Sequence, residues 1–185
     1  SSHVILAGPI GTGKTELARI IPKVFWSTKG GYFSDIYTAT ADWNTQDVIG
    51  GIVPKMKKND VIYKIQDGCI TESIRKNWLN DGRKSTTIDG HAYCGVWAII
   101  DEFNRADIDK AFGQLFTALR TKEMKISSDH LDRTFDSLKI PKDFRIIGTL
   151  NTADKHYLFP LSDALKSRFS IIEIDVPEKK LKDKE

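Results

Sequence analysis

The chain has 185 residues, 40% of them hydrophobic and 29% charged, which is the composition of one globular domain with a full-sized core. Its longest apolar runs are about five residues and no signal-peptide pattern opens it, so a membrane-spanning segment is excluded. A net charge of +3 is too small to indicate nucleic acid by itself. Two distant cysteines, Cys69 and Cys94, favour a reduced cytoplasmic setting over a disulfide.

The first predicted feature is a phosphate-binding loop between a strand and a helix. An apolar run at 3–7 precedes a G-x-x-x-x-G-K-[ST] pattern, and a helical pattern begins at Glu16. The glycines allow backbone N–H groups to turn inward at a helix N-terminus, where they bind anions. Lys14 can then reach the β- and γ-phosphates of a nucleotide, and the Thr15 hydroxyl can ligate Mg²⁺. The predicted nucleotide-binding residues of this loop are Gly8, Pro9, Gly11, Thr12, Gly13, Lys14 and Thr15.

The stretch up to residue 95 is predicted to alternate between strands and short helices. The expected elements are the end of the first helix near Trp26, a strand at 32–41, a short helix at 45–50 capped by Gly50 and Gly51, a hairpin strand at 61–65, a helix at 69–79 and a polar, flexible insert at 80–95. The lysines at 55–58 leave two interpretations open. They contact an acidic partner or nucleic acid in a central pore, or they decorate a solvated hairpin edge, which we favour.

The second half of the chain continues the alternation. We expect a strand at 96–100 that is buried on both faces, a helix at 108–121, a lysine-flanked segment at 122–128 followed by a polar loop, a buried strand at 144–151, a short helix at 161–169 and a last strand at 170–176. Strands that alternate with helices predict an α/β fold, a parallel sheet with helices on both faces.

Polar side chains end two of the buried strands, at the sheet edge where ligands gather. Asp101 can hold Mg²⁺ through water, and the adjacent Glu102 is placed to polarise the attacking water as a general base. Asn151 can hydrogen-bond the γ-phosphate or that water. The alternatives are that Asp101 and Glu102 only cap the next helix, helped by Asn104 or Asp107, and that Asn151 is a turn residue.

Arg168 precedes the last strand and is therefore expected near the amino-end edge of the sheet. A six-residue strand separates the two edges by roughly 20 Å, too far for an arginine to reach its own phosphate. If Arg168 is catalytic, it acts on a neighbour's nucleotide. A salt-bridged surface arginine fits the spacing equally well.

With these motifs together, the chain from Val4 to Ile174 resembles the AAA+ ATPases, in the branch that contains MoxR-type ATPases, the McrB restriction subunit, dynein and midasin. The loop at 8–15 matches Walker A, and 99–106 matches the extended Walker B of that branch. The segment 146–154 resembles sensor 1, closest to the McrB version, and 161–169 resembles the arginine-finger helix, which strengthens the catalytic interpretation of Arg168.

The resemblance implies a P-loop NTPase that binds and hydrolyses ATP with Mg²⁺. It also implies a homo-oligomeric ring, a hexamer by family resemblance, that remodels a protein partner and meets nucleic acid only through a partner. Two alternatives are a GTP-using, McrB-like subunit of a DNA restriction system and a nucleotide-gated scaffold with little turnover. The presence of Glu102, Asn151 and Arg168 argues against the scaffold.

The resemblance also sets the expected domain organisation. Residues 1–176 form the nucleotide-binding core, with a helix-two insertion at 47–65 and the polar insert at 80–95, and 177–185 form a charged tail. The helical lid and its sensor 2 arginine, expected after Val176, are absent from this sequence. The abrupt start and end indicate an excised or truncated core.

Overall fold

The computed structural model describes residues 3–25, 30–57, 60–78, 86–127, 135–152 and 163–175. The strands are β1 (His3–Gly8), β2 (Phe33–Thr38), β3 (Gly50–Lys57), β4 (Asp60–Asp67), β5 (Thr86–Ile88), β6 (His91–Tyr93), β7 (Val96–Asp101), β8 (Glu123–Ser127), β9 (Phe135–Lys139), β10 (Ile146–Asn151) and β11 (Phe169–Glu173). The helices are α1 (Lys14–Val24), α2 (Thr45–Val48), α3 (Cys69–Arg75), α4 (Ile108–Thr121) and α5 (Asp163–Lys166), with a 3₁₀ helix at Phe103–Arg105. The predictions for Trp26, for Lys58, for 79–85, for 128–134, for 153–162 and for 176–185 lie outside the described residues.

A five-stranded parallel sheet in the order β11-β1-β10-β7-β2 forms the centre of the fold. Its three inner strands are short apolar runs, and nearly every residue of β1, β7 and β10 is buried. Strands of this kind need other elements packed on both faces of the sheet, because apolar side chains project from each face. The predicted α/β architecture is therefore confirmed.

Helices pack against both faces of this sheet. On one face, Ala18 of α1 lies in a cluster with Leu6, Trp97, Ile99 and Ile147. On the other face, α4 presents an apolar stripe at helical spacing, and this stripe packs on alternate residues of the same strands, among them Ile5 and Ile100. The stripe consists of Ile108, Ala111, Phe112, Leu115, Phe116, Ala118 and Leu119. Asp107 starts α4 by accepting a hydrogen bond from the Lys110 N–H at 3.2 Å.

Three small antiparallel hairpins extend from this core, and they correct parts of the sequence prediction. The described part of the 80–95 insert contains a β-hairpin, β5–β6, which the sequence analysis did not predict. Asp89 and Gly90 form its turn with φ of 50° and 78°, the left-handed pair that a tight hairpin needs. The segment after α4, predicted as a lysine-flanked segment and a polar loop, contains β8 paired with β9. Gly50 does not cap α2; it begins β3 with a φ of 106°.

The β3–β4 hairpin confirms the predicted hairpin strand and extends it to Gly50–Asp67. Lys55 and Lys57 are exposed, which fits the solvated edge and the pore interpretation alike. The pairing puts Met56 opposite Val61, and both side chains are exposed as well. The hairpin therefore presents apolar as well as basic side chains to its surroundings. None of the helices in the described part of the chain has the length and apolarity needed to span a bilayer.

The imidazole of His3 is buried at the start of β1, and its Nδ1 accepts a hydrogen bond from the Ile146 N–H at 3.1 Å. Burial, and then the positive charges of Lys122 and Arg145, lower the pKa of His3 from 6.5 to about 3. Because the folded-state pKa lies below the unfolded value, this contribution to stability is complete above about pH 6.5. It is lost as the pH falls through the range towards 3, at about 1.4 kcal/mol per pH unit.

We therefore expect His3→Asn, which keeps a hydrogen-bond acceptor but does not titrate, to flatten the pH dependence of the unfolding free energy between about pH 6.5 and pH 5. Denaturant unfolding at several pH values measures this. The control is His91→Asn, the same substitution at an exposed histidine of β6. An identical slope in His3→Asn and the unaltered protein would contradict the assignment.

Candidate nucleotide site

The carboxyl ends of three neighbouring strands meet at one edge of the sheet. Gly8 at the end of β1 lies in register with Asn151 at the end of β10, and Asp101 ends β7 on the far side of β10. A cavity of about 280 Å³ opens at this edge. Its lining includes most of the predicted site residues, namely Gly11, Gly13, Lys14, Thr15, Asp101, Glu102 and Asn151. Three residues that were not predicted line it as well: Ile10, Glu16 and Thr149.

The loop between β1 and α1 has the backbone of an anion-binding turn. Gly11 and Gly13 adopt φ of 82° and 78°, the left-handed conformation that a side chain would strain, and nothing lies within 4 Å of a Cβ built there. Gly8 is needed for a different reason. A Cβ at Gly8 would lie 2.1 Å from the carbonyl oxygen of Ile174, so the close approach of the chain after β11 requires glycine.

Lys14 lies over this loop and is buried. Its Nζ donates to the Pro9 carbonyl at 2.6 Å and to Thr12 Oγ1 at 3.3 Å, and Thr12 Oγ1 donates to the same carbonyl at 3.0 Å. Burial lowers the pKa of Lys14, and the negative charge of Asp101 opposes that shift. An ammonium held over a glycine-rich loop at a helix N-terminus is suited to bind phosphate oxygens.

A hydroxyl and a carboxylate meet on the other side of the cavity. Thr15 Oγ1 donates to Asp101 Oδ1 at 2.9 Å, and Thr149 Oγ1 donates to the same oxygen. The Thr15 hydroxyl and the Asp101 carboxylate both offer oxygen ligands. Mg²⁺ prefers a few oxygen ligands from the protein, with water and phosphate completing its coordination. Thr15 and Asp101 therefore fit Mg²⁺ as predicted from the sequence.

Thr149 was not singled out from the sequence. It is 2% exposed, contacts Asp101 and accepts a hydrogen bond from the Glu102 N–H at 3.1 Å, so it links β10 to the acidic end of β7. A signal was present in the chain. Side chains two residues apart in a strand share a face, and Thr149 is the one polar side chain in the buried stretch 146–150 that precedes Asn151.

Glu102 lines the cavity directly after β7. Its backbone has φ of 54° and ψ of 42°, a left-handed conformation that is uncommon outside glycine. Its carboxylate pairs with Arg105, whose Nε lies 2.9 Å from Oε2. The alternative of helix capping is wrong for Asp101 and Glu102, because Asp107 caps α4 and Glu102 makes no side-chain capping bond to the 3₁₀ helix.

Arg168 lies at the other edge of the sheet. It immediately precedes β11, whose first residue, Phe169, pairs with His3 at the start of β1. Its Nε donates to the Phe116 carbonyl at 2.9 Å, one guanidinium nitrogen donates to the Ala164 carbonyl at 2.7 Å, and the guanidinium lies 5.7 Å from the centre of the Phe116 ring. Arg168 is thus not brought together with the other site residues of its own chain, and its catalytic role stays a prediction.

The parallel sheet and the glycine-rich loop at a helix N-terminus define a P-loop α/β domain. The model of the AAA domain of the dynein-related subfamily matches residues 3–169, and the chain belongs to this family.

Among solved structures, the fold resembles the crystal structure of a "putative ATPase" from Cytophaga hutchinsonii ATCC 33406, with a TM-score of 0.52 and 16% sequence identity. The match covers 95% of this chain and 41% of that one, so the chain spans less than half of its structural relative. No curated protein matches the chain.

Proposed function

We propose that this domain binds ATP together with Mg²⁺ and hydrolyses it, and that it works in a ring whose cycles remodel or drive a protein partner. The observation that carries the proposal is a single cavity lined by a phosphate loop, a hydroxyl–carboxylate pair and two further polar strand ends. Phosphoryl transfer requires groups that bind the phosphates, hold Mg²⁺ and position the attacking water. The cavity offers a candidate residue for each of these roles.

The residues of the cavity divide the work of hydrolysis. The loop amides and Lys14 would hold the β- and γ-phosphates. Thr15, and Asp101 through water, would hold Mg²⁺, whose charge would offset that of the phosphate oxygens. Glu102 accepts a proton from the water that attacks the γ-phosphorus as the bond to the bridging oxygen breaks. Asn151 hydrogen-bonds the γ-phosphate or that water, from a position two residues beyond Thr149 on the same face of β10.

The proposal of a ring rests on the position of Arg168 and on the family resemblance. This side chain lies at the edge of the sheet opposite the phosphate loop of its own chain. It can therefore contact a bound phosphate only in a neighbouring copy of the chain. By family resemblance the ring is a hexamer, in the MoxR and McrB branch, with an unidentified protein partner and with nucleic acid reached only through a partner. ATP is proposed over GTP on the usage of that branch, and the McrB-like GTPase is the second candidate.

Binding is tested at Lys14. Lys14→Ala removes a charge-assisted contact to the β- and γ-phosphates, so we expect the free energy of ATP binding to weaken by about 2–3 kcal/mol. Titration calorimetry in Mg²⁺ with ATP and GTP in parallel measures both this loss and the choice of base. Lys23→Ala, an exposed lysine on the same helix, is the control and should bind normally.

Unchanged ATP affinity in Lys14→Ala would mean that the loop is only a turn. Saturation by GTP at concentrations where ATP does not compete would move the proposal to the McrB-like GTPase. Tight binding of either nucleotide without turnover would favour the nucleotide-gated scaffold.

A further inference from the structure

The backbone of Glu102 is fixed independently of its side chain. Its left-handed conformation is held by the hydrogen bond from its N–H to Thr149 Oγ1 at 3.1 Å, and Thr149 is itself buried in β10. The Cα of Glu102 therefore has a defined position at the mouth of the cavity. The carboxylate lies three rotatable bonds away, and this position alone does not determine where it points.

Arg105 supplies the missing constraint. Its Nε lies 2.9 Å from Glu102 Oε2, with the two side chains 51% and 25% exposed. Arg105 does not line the cavity, so its contact is with the carboxylate and not with the space where a nucleotide would bind. The contact is made to Oε2 of the carboxylate, and Glu102 itself lines the cavity.

The turn that carries Arg105 is anchored in the core. Phe103 and Asn104 are 0% and 4% exposed, and the ring of Phe103 stacks on Phe112 with 4.6 Å between the centres. The Arg105 N–H donates to the Glu102 carbonyl at 2.9 Å, which closes the 3₁₀ turn. A spacing of three residues in such a turn puts the two side chains on the same side, so the pairing follows from the fold.

We propose that Arg105 is a positioning residue that orients Glu102 as the general base. A catalytic base is commonly held in its working rotamer by a neighbouring side chain, and we assign this role towards Glu102 to Arg105. Arg105 acts through Glu102 and does not touch the nucleotide. The assignment rests on the proposed function, because it requires Glu102 to be the base for hydrolysis.

The test is the steady-state kinetics of Arg105→Ala in the full-length protein. Displacement of a catalytic group by about 1 Å can cost ~10²-fold in rate, so we expect kcat to fall about 10- to 100-fold. KM and the calorimetric affinity for ATP should stay within about 2-fold, because no phosphate contact is lost. Arg105→Lys should recover most of the rate, since a single charged N–H can still reach Oε2.

A matched control is available on α3. Arg75 also pairs through its Nε, with Asp67, and the exposed fractions of the two side chains are 46% and 27%. Arg75→Ala removes an ion pair of the same kind outside the cavity lining and should leave kcat unchanged. Thermal melting of all variants identifies loss of folding, and Arg105→Lys keeps the test informative if the alanine variant does not fold.

The decisive comparison is a double-mutant cycle with Glu102→Gln under single-turnover conditions. If Arg105 acts through Glu102, adding Arg105→Ala to Glu102→Gln should cause no further loss. An additive loss or a raised KM would mean that Arg105 touches the nucleotide, and faster turnover would mean that it restrains the base; each result overturns the proposal. Unchanged turnover in Arg105→Ala overturns the role of Arg105 and leaves the proposed function intact. ATP binding without turnover by the unaltered protein overturns both the proposed function and the role of Arg105.

Discussion

Arg168→Ala is expected to lower ATP hydrolysis about 10³- to 10⁵-fold in the full-length protein while ATP affinity stays nearly unchanged. The reason is the position of the side chain. Arg168 precedes β11 at the edge of the sheet opposite the phosphate loop, so its removal leaves the residues that line the cavity of its own chain in place. A guanidinium beside the γ-phosphate of a neighbouring chain would be lost, and that group stabilises the charge of the transition state. Calorimetry and phosphate release on the same sample measure the two effects.

The local contacts of Arg168 require a control, because its guanidinium also donates to the carbonyls of Phe116 and Ala164. Ser167→Ala removes a hydroxyl that Arg168 contacts at 2.9 Å and keeps the guanidinium, so it should remain active. Melting temperatures of both variants separate a loss of folding from a loss of chemistry. Retained turnover in Arg168→Ala would show that the arginine is a structural side chain only.

Glu102→Gln is expected to bind ATP normally and to hydrolyse it about 10²- to 10⁴-fold more slowly. Glutamine keeps the size of the side chain and can hydrogen-bond, but it cannot accept the proton of the attacking water. Ring assembly should persist or strengthen, because the chain stays in its ATP-bound form. Phosphate release measures turnover, and light scattering with ATP present measures assembly.

The control for Glu102→Gln is Glu72→Gln. Glu72 is also paired with a cation, Lys76 at 3.0 Å, but it lies on α3 outside the residues that line the cavity. The same chemical change there should leave turnover intact. Hydrolysis by Glu102→Gln at the parental rate would remove Glu102 from the mechanism.

The sequence predicts the sheet and the residues that line its cavity because both depend on local patterns. The strands at 96–100 and 144–151 are short apolar runs that end in polar side chains, and a parallel sheet must bring such ends to one edge. The phosphate loop is a continuous motif, and its glycines are required by the local backbone conformation. The sequence alone is therefore enough to predict five residues that line the same cavity: Lys14, Thr15, Asp101, Glu102 and Asn151.

The remaining features depend on tertiary contacts or on weak local signals. Thr149 contributes through its hydrogen bonds to Asp101 and Glu102 at the end of β7. Arg105 lies within the segment 99–106 that matches the extended Walker B, but that match does not show the turn that pairs its side chain with Glu102. The β5–β6 hairpin had a usable signal, the Asp89–Gly90 pair, but its strands have only three residues each. Strands this short show too little alternation to be distinguished from a polar loop.

The central claim is that one hydrolysis site is built from two chains, with Glu102 from one and Arg168 from its neighbour. The most direct measurement mixes full-length Glu102→Gln and Arg168→Ala proteins, each inactive alone, and follows phosphate release from ATP. Random mixing in equal amounts gives roughly a quarter of interfaces with both groups intact, so partial activity should return and peak near equal amounts. If the subunits exchange and no activity returns at any ratio, Arg168 does not complete a neighbour's site and the claim is contradicted.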